Sequence, residues 1–455
     1  MITLAVREQR MPDRDDRLFH PEFSTDPYWW RAWRPGPERG ACDVPARTDV
    51  ALVGGGLTSL NAALELARSG VSCVVLEADQ FGIGASTRNG GGVSGGINIG
   101  KGLGGRKGVG DEALRQAMIA DAATALDHLE EVIAREGIDC DYERSGRFAG
   151  AFTPAHHRAQ ARQCEILNAH ARAGAYLLPR ARVREEMASD FYYGGMVVER
   201  SGKIHPAKYY GGLLEAAARA GAVLVAGAPV TGIARMDGGW RLTTPRGEIR
   251  AQKVFAGTNG YTGAATPALR RRAVPVASHM IATEELDPAL AASLIPRGRF
   301  LSETKRVLCY YRLSPDGRRV LFGGRPRFTQ VAPETSARLL HALMVERFPQ
   351  LAGVRIAHNW MGSLAFALDQ LPHMGVHDGI HYAMCCNGSG VAMLGWLGQQ
   401  SARKMIGGAN RQNAFDGRPF EALPFYDGRP WFLPLVGAWY RHLDRRDRRA
   451  AQREG

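Results

Sequence analysis

The sequence lacks any uninterrupted apolar run approaching ~18 residues, so it predicts no membrane-spanning helix. Its first residues also lack the apolar core of a signal peptide. The seven cysteines are dispersed and contain no Cys-x-x-Cys pair, which favours reduced thiols in a soluble, cytoplasmic protein. No nucleophile elbow and no catalytic Cys/His arrangement stands out, so a hydrolase has no support.

Positive charge is in excess, because 58 Lys and Arg face 45 Asp and Glu and leave a net charge of +13. A basic surface can meet nucleic acid, an anionic membrane or acidic substrates. Residues 441–455 hold six arginines but no aromatic residue, which disfavours a platform for single-stranded nucleic acid. The sequence therefore favours a solvated, disordered basic tail and no nucleic-acid partner.

The strongest motif begins at residue 48. Residues 48–53 read as a short apolar strand, residues 57–69 as a helix and residues 71–76 as a buried strand. Between them, Gly54-Gly55-Gly56 forms a tight turn in which Gly56 lets the backbone approach a pyrophosphate. Glu77 follows the second strand, at the distance where an acid accepts hydrogen bonds from a ribose diol. The pattern predicts a dinucleotide site, with Ser59 in place of the third glycine.

Two further patterns predict hairpins. Pro-Asp-Gly at residues 315–317 separates apolar runs at about 306–313 and 319–323. Asp-Gly at residues 378–379 interrupts the series His373, His377 and His381, whose spacing of four would otherwise place three metal ligands on one helix face. A hairpin is the preferred interpretation there, and no metal is predicted.

Several segments, taken in order, carry a resemblance to a known family. Their sequences are Asp-Pro-Tyr-Trp-Trp at 26–30, Gly-Ile-Gly-Ala-Ser-Thr-Arg-Asn-Gly-Gly at 82–91, His-Pro-Ala-Lys-Tyr at 205–209, Ala-Gly-Thr-Asn-Gly-Tyr at 256–261, Tyr-Arg-Leu-Ser-Pro-Asp-Gly at 311–317, Phe-Gly-Gly-Arg at 322–325, Trp-Met-Gly at 360–362, Leu-Pro-His-Met-Gly at 371–375 and Asn-Gly-Ser-Gly-Val at 387–391. Along nearly its whole length the chain resembles the D-amino-acid-oxidase-like (DAO) flavoproteins. The branch that holds γ-glutamylputrescine oxidase is the most similar.

The resemblance implies that the dinucleotide is FAD. The residues that it implies for FAD binding are Gly54, Gly56, Leu57, Thr58, Ser59, Glu77, Ala78, Ala85, Ser86, Arg88, Asn89, Gly90, Val230, Thr258, Asn259, Gly388, Ser389, Gly390 and Val391. It also implies a substrate face near Tyr310, Arg312, Arg325 and Trp360, and it assigns no catalytic residue. An arginine there could bind a carboxylate with two hydrogen bonds.

The chain departs from the family pattern at several positions. Relatives usually have Gly at the position of Cys385 and often have His at that of Ser389. Some relatives attach FAD to a cysteine near the Trp-x-Gly segment, but residues 360–369 contain none, so non-covalent FAD is expected. Some also use a lysine above the flavin to activate oxygen, and residues 306–327 contain no lysine. The electron acceptor therefore stays open.

The resemblance implies oxidation of a C–N bond in a small amine or amino acid. A hydride would pass from the carbon bearing the nitrogen to flavin N5, and water would hydrolyse the imine. Molecular oxygen would then reoxidise the flavin and yield hydrogen peroxide. One alternative is a dehydrogenase that passes electrons to a quinone or a protein. A second, suggested by the positive charge, is a flavoprotein that modifies RNA.

The expected fold is α/β, with a Rossmann-like FAD-binding domain interleaved with an antiparallel-sheet substrate domain. Residues 1–47 would form an N-terminal arm that packs onto the body. The FAD-binding domain would use residues 48–110, 201–275 and, as its closing segment, 356–410. Residues 111–200 (mainly) and 276–355 would form the substrate domain and associated helices. Residues 411–455 would be a C-terminal extension with the basic tail.

Overall fold

The computed structural model describes residues 17–95, 111–407 and 413–454. Its strands are β1 Phe19–Ser24, β2 Arg47–Val53, β3 Cys73–Leu76, β4 Gly92–Ser94, β5 Arg147–Gly150, β6 Ala175–Leu178, β7 Gly195–Val198, β8 Ser201–Lys203, β9 Val223–Val225, β10 Gly232–Met236, β11 Gly239–Thr244, β12 Gly247–Ala256, β13 Val274–Thr283, β14 Phe300–Glu303, β15 Cys309–Leu313, β16 Val320–Gly324, β17 Ile356–Phe366, β18 His373–His377 and β19 Ile380–Met384. Its α-helices are α1 Leu57–Arg68, α2 Glu112–Glu136, α3 Pro154–Ala171, α4 Pro206–Arg219, α5 Pro267–Arg270, α6 Pro288–Leu294, α7 Pro333–Arg347, α8 Gly390–Ile406 and α9 Leu433–Glu454.

The first large sheet has the strand order β10-β11-β12-β2-β3-β9, and β19 pairs with the far end of β12. Strands β19, β12, β2, β3 and β9 run parallel to their neighbours in this part of the sheet. Strand β3 is buried along its whole length, which is typical of a parallel strand covered on both faces. The strand, turn, helix and strand predicted from residue 48 are therefore confirmed, and the carboxyl ends of these strands share one edge.

The second large sheet has nine strands in the order β1-β17-β13-β16-β15-β14-β5-β7-β6. The predicted hairpin at residues 315–317 is confirmed, since β15 and β16 pair antiparallel in continuous register from Cys309↔Gly324 to Leu313↔Val320. Strand β17 pairs with β13 over nearly its whole length and lies in this sheet. The sequence alone groups residues 356–366 with the closing segment of the FAD-binding domain. The structure differs from this grouping, because the strand hydrogen bonds of these residues lie in the second sheet.

The second predicted hairpin, around Asp378-Gly379, is also present. Strands β18 and β19 pair antiparallel from His373↔Met384 to His377↔Ile380. The three histidines spaced by four thus lie on two strands instead of one helix face. Within the described ranges, no group of three His, Cys, Asp or Glu side chains is arranged to hold a metal ion.

The N-terminal arm, as far as residues 17–47 describe it, packs onto the body. Strand β1 joins the second sheet beside β17, and the side chains of Tyr28 and Trp29 are buried. Residues 1–16 of the predicted arm and residues 96–110 of the predicted glycine-rich FAD segment lie outside the described residues.

The basic C-terminal tail is where the sequence-based expectation was wrong. Residues 441–454 form the second half of helix α9 and are not a disordered tail. The helix is held to the body because Arg306 pairs with Asp444 and Asp447, while the Arg448 guanidinium lies over the Phe191 ring. Over residues 17–95, 111–407 and 413–454, no helix is both long and apolar enough to cross a membrane.

Candidate active site

The turn after β2 brings the backbone of the predicted dinucleotide site, at Gly54 and Gly55, together with the side chain of Glu77. Gly54 has φ +89°, a conformation that favours glycine, and its N–H donates to the Leu76 carbonyl. The Gly55 N–H donates to Glu77 Oε2 at 2.6 Å, and the Tyr210 hydroxyl donates to the Gly55 carbonyl, also at 2.6 Å. The turn is thus fixed on both sides by hydrogen bonds.

Gly56 differs from its neighbours because the protein leaves room for a side chain there. A Cβ at Gly56 would lie 3.4 Å from Ser86 Oγ and 3.9 Å from the Gly257 carbonyl oxygen, which are ordinary contacts. Its φ of −78° is open to any residue. Neither the neighbouring described residues nor the backbone angle requires glycine at this position. A pyrophosphate that approached the backbone closely would supply the reason.

Helix α1 begins at Leu57, and its first N–H groups have no partner within the helix. Leu57 N–H donates to Ser86 Oγ at 3.2 Å, so the 82–91 loop crosses directly over the helix start. Ser59 occupies the third glycine position. Its buried Oγ lies against Gly257, and a Cβ at Gly257 would be only 2.2 Å from that oxygen. This close contact explains why position 59 carries a small residue.

Glu77 follows β3 and its carboxylate is tied to the turn. Besides Gly55, the Asp79 N–H donates to it, at 3.2 Å. Burial raises the pKa of Glu77 above its usual 4.5, and the hydrogen bonds from backbone N–H groups partly oppose that rise. Ala78 is exposed beside it, and Ala228 N–H donates to the Glu77 carbonyl two residues before Val230. These residues lie together at the edge of the parallel sheet.

The 82–91 loop is held by side chains from the N-terminal arm. Trp29 Nε1 donates to the Asn89 carbonyl at 2.8 Å, and Trp30 Nε1 donates to Thr87 Oγ1 at 3.0 Å. Asn89 closes the loop on itself, since its Oδ1 accepts from Gly91 N–H. Gly90 is required sterically because a Cβ there would lie 2.7 Å from the Tyr310 ring.

Arg88 connects this loop to β17. Its Nε donates to the Ile83 carbonyl at 2.7 Å, and its guanidinium lies 4.6 Å from the centre of the Trp30 ring. In return, Trp360 Nε1 donates to the Arg88 carbonyl at 2.8 Å. Burial lowers the pKa of Arg88, because desolvation disfavours the charged form. Ala85, beside Gly362, completes this contact.

The loop between β19 and α8 has an unusual backbone. Cys385, Asn387 and Gly388 have φ values of +65°, +49° and +99°, and the first two are not glycines. Asn259, from the segment after β12, holds the loop by accepting from Cys385 N–H at 3.0 Å. Strained backbone of this kind is commonly found at binding sites. The position where relatives usually have Gly thus keeps the glycine-like conformation with a cysteine.

Helices α1 and α8 cross in very close contact. A Cβ at Gly398 of α8 would lie 2.1 Å from the Thr58 carbonyl oxygen, and one at Gly395 would lie 3.0 Å from Asn61 Nδ2. Helix α8 begins at Gly390, after the N-cap Ser389, and Val391 in its first turn is buried. The two glycines therefore allow the first halves of both helices to pack directly against each other. This contact lies at the edge of the parallel sheet, where Thr258 and Asn259 also lie.

Two of the four predicted substrate-face residues lie against the loops of the site, Tyr310 against Gly90 and Arg325 against Gly388. Tyr310 donates to or accepts from Ser278 Oγ at 2.9 Å. Arg325 is buried; its guanidinium lies 5.1 Å from the centre of the Phe366 ring, and a Cβ at Gly388 would be 2.8 Å from its Nη2. Among the described residues, Arg325 Nε has no hydrogen-bond partner and no carboxylate forms an ion pair with the side chain.

The other two predicted residues are committed to contacts within the protein. Arg312 is 1% exposed, its Nη1 donates to the Ile204 carbonyl at 2.7 Å and its Nε donates to the Leu313 carbonyl. Burial lowers its pKa to about 10, which leaves it charged at neutral pH. Trp360 packs with Trp29 and Met280 while its indole N–H bonds Arg88. Of the two arginines, Arg325 is the one whose buried Nε has no hydrogen-bond partner among the described residues.

The residues that sequence reasoning missed are those that support the site from behind. Tyr210 bonds the Gly55 carbonyl, and Phe81 lies against both Gly40 and Gly55, where a Cβ would meet its ring at 2.6 Å or less. Trp29 and Trp30 enter the sequence analysis only within the 26–30 segment of the predicted arm. Their contacts with the 82–91 loop join segments that are far apart in sequence, so no local sequence pattern predicts these contacts.

Known proteins give a consistent answer when compared with this chain. The family model described as FAD dependent oxidoreductase (DAO) matches residues 49–404. The γ-glutamylputrescine oxidoreductase of Escherichia coli (strain K12) is 32% identical over 415 residues, which cover 88% of this chain and 93% of that protein. A probable oxidoreductase OrdL of Haemophilus influenzae is 30% identical over 84% of this chain and 88% of that protein.

Among solved structures, glycine oxidase from Geobacillus kaustophilus superposes with a TM-score of 0.68 at 20% identity, over 83% of this chain and 99% of that one. L-proline dehydrogenase from P. horikoshii gives a TM-score of 0.66 at 17% identity, over 81% and 96% of the two chains. At these identities the likeness establishes the fold, which is the mixed α/β architecture predicted. Together with the family match, it leads to one conclusion: the chain belongs to the DAO family of FAD dependent oxidoreductases.

Proposed function

We propose that the protein oxidises the C–N bond of a small amine or amino acid that carries a carboxylate. The observation that carries this proposal is Arg325, a buried cation beside the strained loop at Gly388 with an unpartnered Nε. A buried guanidinium without a carboxylate partner is costly unless a ligand completes it. The names of the relatives, which include glycine oxidase and γ-glutamylputrescine oxidoreductase, support an amine or amino acid.

The nucleotide would be held by the turn and loops at the sheet edge. Backbone N–H groups at the start of α1 and the Gly56 backbone would meet the pyrophosphate, and Glu77 would accept hydrogen bonds from the ribose. The remaining FAD contacts proposed are those of the 85–90 loop, Val230, Thr258, Asn259 and the start of α8, all predicted above. When bound, FAD supplies the oxidising power, taking two electrons and one hydrogen from the carbon next to nitrogen.

The chain's own groups have a limited chemical role in this scheme. Arg325 would bind the carboxylate, Tyr310 would form the wall opposite it, and the apolar packing around Trp360 would exclude water. Desolvation of a buried pocket favours the neutral amine, the form that can give up a hydride. The two-electron oxidation converts amine to imine with loss of one proton, and water then converts the imine to a carbonyl compound and a free amine or ammonia.

Molecular oxygen is the acceptor that we propose, with hydrogen peroxide as product. The alternative is transfer to a quinone or a protein, and it has its own support, because residues 306–327 contain no lysine and one structural neighbour is a dehydrogenase. Oxygen consumption with stoichiometric peroxide during turnover would establish the oxidase. Turnover that needs an added quinone or dye would establish the dehydrogenase.

Arg325 variants test the substrate class. In Arg325→Met, kcat/KM for an amine bearing a carboxylate should fall roughly 10- to 100-fold, because a charge-assisted bond contributes about 1.5–3 kcal/mol. For a matched amine without the carboxylate, kcat/KM should change by less than about threefold. Arg325→Lys should lie between, since the charge stays and the two-pronged geometry is lost. Equal losses for both substrates would contradict the proposed role.

A further inference from the structure

The segment that ends in helix α9 exposes an unusual amount of apolar surface. Nine large hydrophobic side chains are exposed in the described parts of the chain, and four of them, Phe425, Trp431, Leu435 and Trp439, lie within fifteen residues. Phe425 is 98% exposed and Leu435 is 68% exposed. Single exposed apolar residues need no explanation, whereas a cluster of large ones indicates an interaction surface.

The orientation of α9 is fixed by its inner side. Leu433 is buried against Val274 and Val276, and Asp444 is buried where it pairs with Arg306. Arg448 lies over Phe191 and donates to that residue's carbonyl at 3.0 Å. These contacts occur along most of the helix, so its opposite side is held toward solvent.

The outer side of α9 is divided along its length. Leu435 and Trp439, spaced by four, occupy its first half, where Ala438 is also exposed. The second half of the same side carries the exposed residues His442, Arg445, Arg446, Arg449 and Arg453, again at helical spacing. We call this combination, together with the exposed Trp431 two residues before the helix, the outer face of α9.

The cations of this face crowd one another. Burial lowers the pKa of Arg441, and the positive charges of Arg327 and Arg445 lower it further. Asp444 and Asp447, the acidic residues within 441–453, are directed to Arg306. Arg446 has a contact with Asp447 of 3.9 Å, which is weak. The outer face thus presents concentrated positive charge that an anionic partner would neutralise.

We propose that the outer face of α9 docks on an anionic phospholipid bilayer. Indole rings favour the headgroup level of a bilayer, where Trp431 and Trp439 would rest, with Leu435 reaching the acyl boundary. Exposed arginines are attracted to anionic headgroups, and two such signals together give stable attachment. A second copy of the chain is disfavoured because each copy carries a net charge of +13. The attachment does not depend on the enzyme's substrate.

Vesicle flotation of the FAD-loaded protein tests the surface. The protein should float with phosphatidylcholine vesicles that contain about 30% phosphatidylglycerol, less so as salt rises, and hardly at all with pure phosphatidylcholine. Arg445→Gln with Arg449→Gln should weaken the partition coefficient about thirtyfold, since each cation contributes about five- to sixfold. Leu435→Ser with Trp439→Ser should weaken it at least as much.

Matched controls separate this face from general basicity. Arg219→Gln with Arg250→Gln removes two exposed charges elsewhere, and Val376→Ser removes an exposed apolar side chain on β18. Both controls should bind vesicles within about twofold of the wild type. Flavin absorbance and the unfolding temperature, measured for every variant, identify any that fails to fold, in which case the single changes Arg449→Gln and Trp439→Ser replace it.

Four results would overturn the proposal. The first is no flotation with anionic vesicles, and the second is equal binding to neutral ones. The third is equal weakening by the control variants. The fourth is a protein that ignores vesicles but either forms a dimer dissociated by Leu435→Ser with Trp439→Ser, or binds RNA in a manner that requires Arg445 and Arg449.

Discussion

At Gly56 the requirements of the fold can be distinguished most clearly from those of the proposed cofactor. The described residues leave space for a Cβ at this position, and the proposed cofactor is what would require glycine there. Gly56→Val should therefore yield a folded protein that loses FAD on gel filtration, because the side chain would fill the proposed pyrophosphate position. Bound flavin per chain, measured by absorbance, checks this. Non-covalent FAD, proposed from the absence of cysteine in residues 360–369, makes the loss visible.

Gly353 offers the matched control for that experiment. It is exposed and lies far along the chain from the turn, and no heavy atom of the described residues would lie within 4 Å of a Cβ there. Gly353→Val should retain FAD like the wild type. A Gly56→Val protein that stays fully loaded would show that the turn is only structural.

Glu77 gives a prediction that depends on pH. Glu77→Ala should weaken FAD binding on the order of tenfold to a hundredfold, and Glu77→Gln about tenfold or less, because the amide keeps one acceptor. Turnover of the FAD-saturated variants should stay near normal. In the wild type, burial raises the pKa of Glu77 above 4.5, so the ionised, better-accepting form is lost as pH falls through that raised value.

FAD affinity should accordingly decline on acidification from a pH above 4.5, and the decline should be absent in Glu77→Gln, which has no proton to gain. Titrations of the FAD-free protein at a series of pH values measure this. A Glu77→Ala protein with wild-type affinity, or an identical acid decline in Glu77→Gln, would place the ribose elsewhere.

At the scale of elements, the crossing of α1 and α8 determines how the cofactor edge is assembled. Gly398→Ala would put a methyl group 2.1 Å from the Thr58 carbonyl oxygen, which belongs to backbone and cannot swing away. The helices must then shift, at a cost of about 1–3 kcal/mol in the free energy of unfolding. Denaturant unfolding of the FAD-free protein measures it, and FAD affinity should fall as well.

Gly395, one turn earlier on α8, is the control for that substitution. A Cβ there would meet the end of the Asn61 side chain at 3.0 Å, which can move. Gly395→Ala should therefore cost distinctly less than Gly398→Ala. If the two variants were equally stable, the close approach at Thr58 would not limit the packing of these helices.

The secondary-structure elements also show which features could be predicted from the sequence and why the others could not. The β2–α1–β3 unit and both hairpins could be predicted because glycine turns, Asp-Gly pairs and apolar periodicity are local signals. Strand β1 and the placement of β17 could not be predicted, since they depend on pairing between distant segments. The tail from Arg441 onward was misjudged because its charges suggested solvation, while Arg306, far away in sequence, holds it in place.

The same limit applies to the candidate site. Gly54, Gly56 and Glu77 could be found from their spacing, and the structure brings them to one sheet edge. The contacts of Trp29 and Trp30 with the 82–91 loop, and the difference between Arg312 and Arg325, follow from three-dimensional contacts alone. The family resemblance implied Gly90 and a substrate face with two arginines, but only the structure shows that Arg312 is bonded to backbone carbonyls while Arg325 Nε has no partner among the described residues.

In the whole molecule, the two large sheets contribute different parts of the candidate site. The parallel sheet carries the proposed nucleotide contacts at its carboxyl edge. The nine-stranded sheet brings Tyr310 against the 82–91 loop and Arg325 against the loop before α8. Helix α9 packs on the second sheet near residues 325–328, through Phe328 and the Pro326 carbonyl. An enzyme docked on a bilayer by α9 would have lipid-soluble quinones within reach, so the vesicle and acceptor experiments inform each other.

The most direct test of the central claim is anaerobic reduction of the bound flavin by a panel of amines in matched pairs, with and without a carboxylate. Amino acids, N-methyl amino acids and γ-glutamyl polyamine conjugates would be compared with the corresponding amines. We predict that the visible flavin absorbance bleaches with at least one carboxylate-bearing amine, and more slowly or not at all with its partner. A flavin that stays oxidised with every amine in the panel would contradict the proposed C–N oxidation.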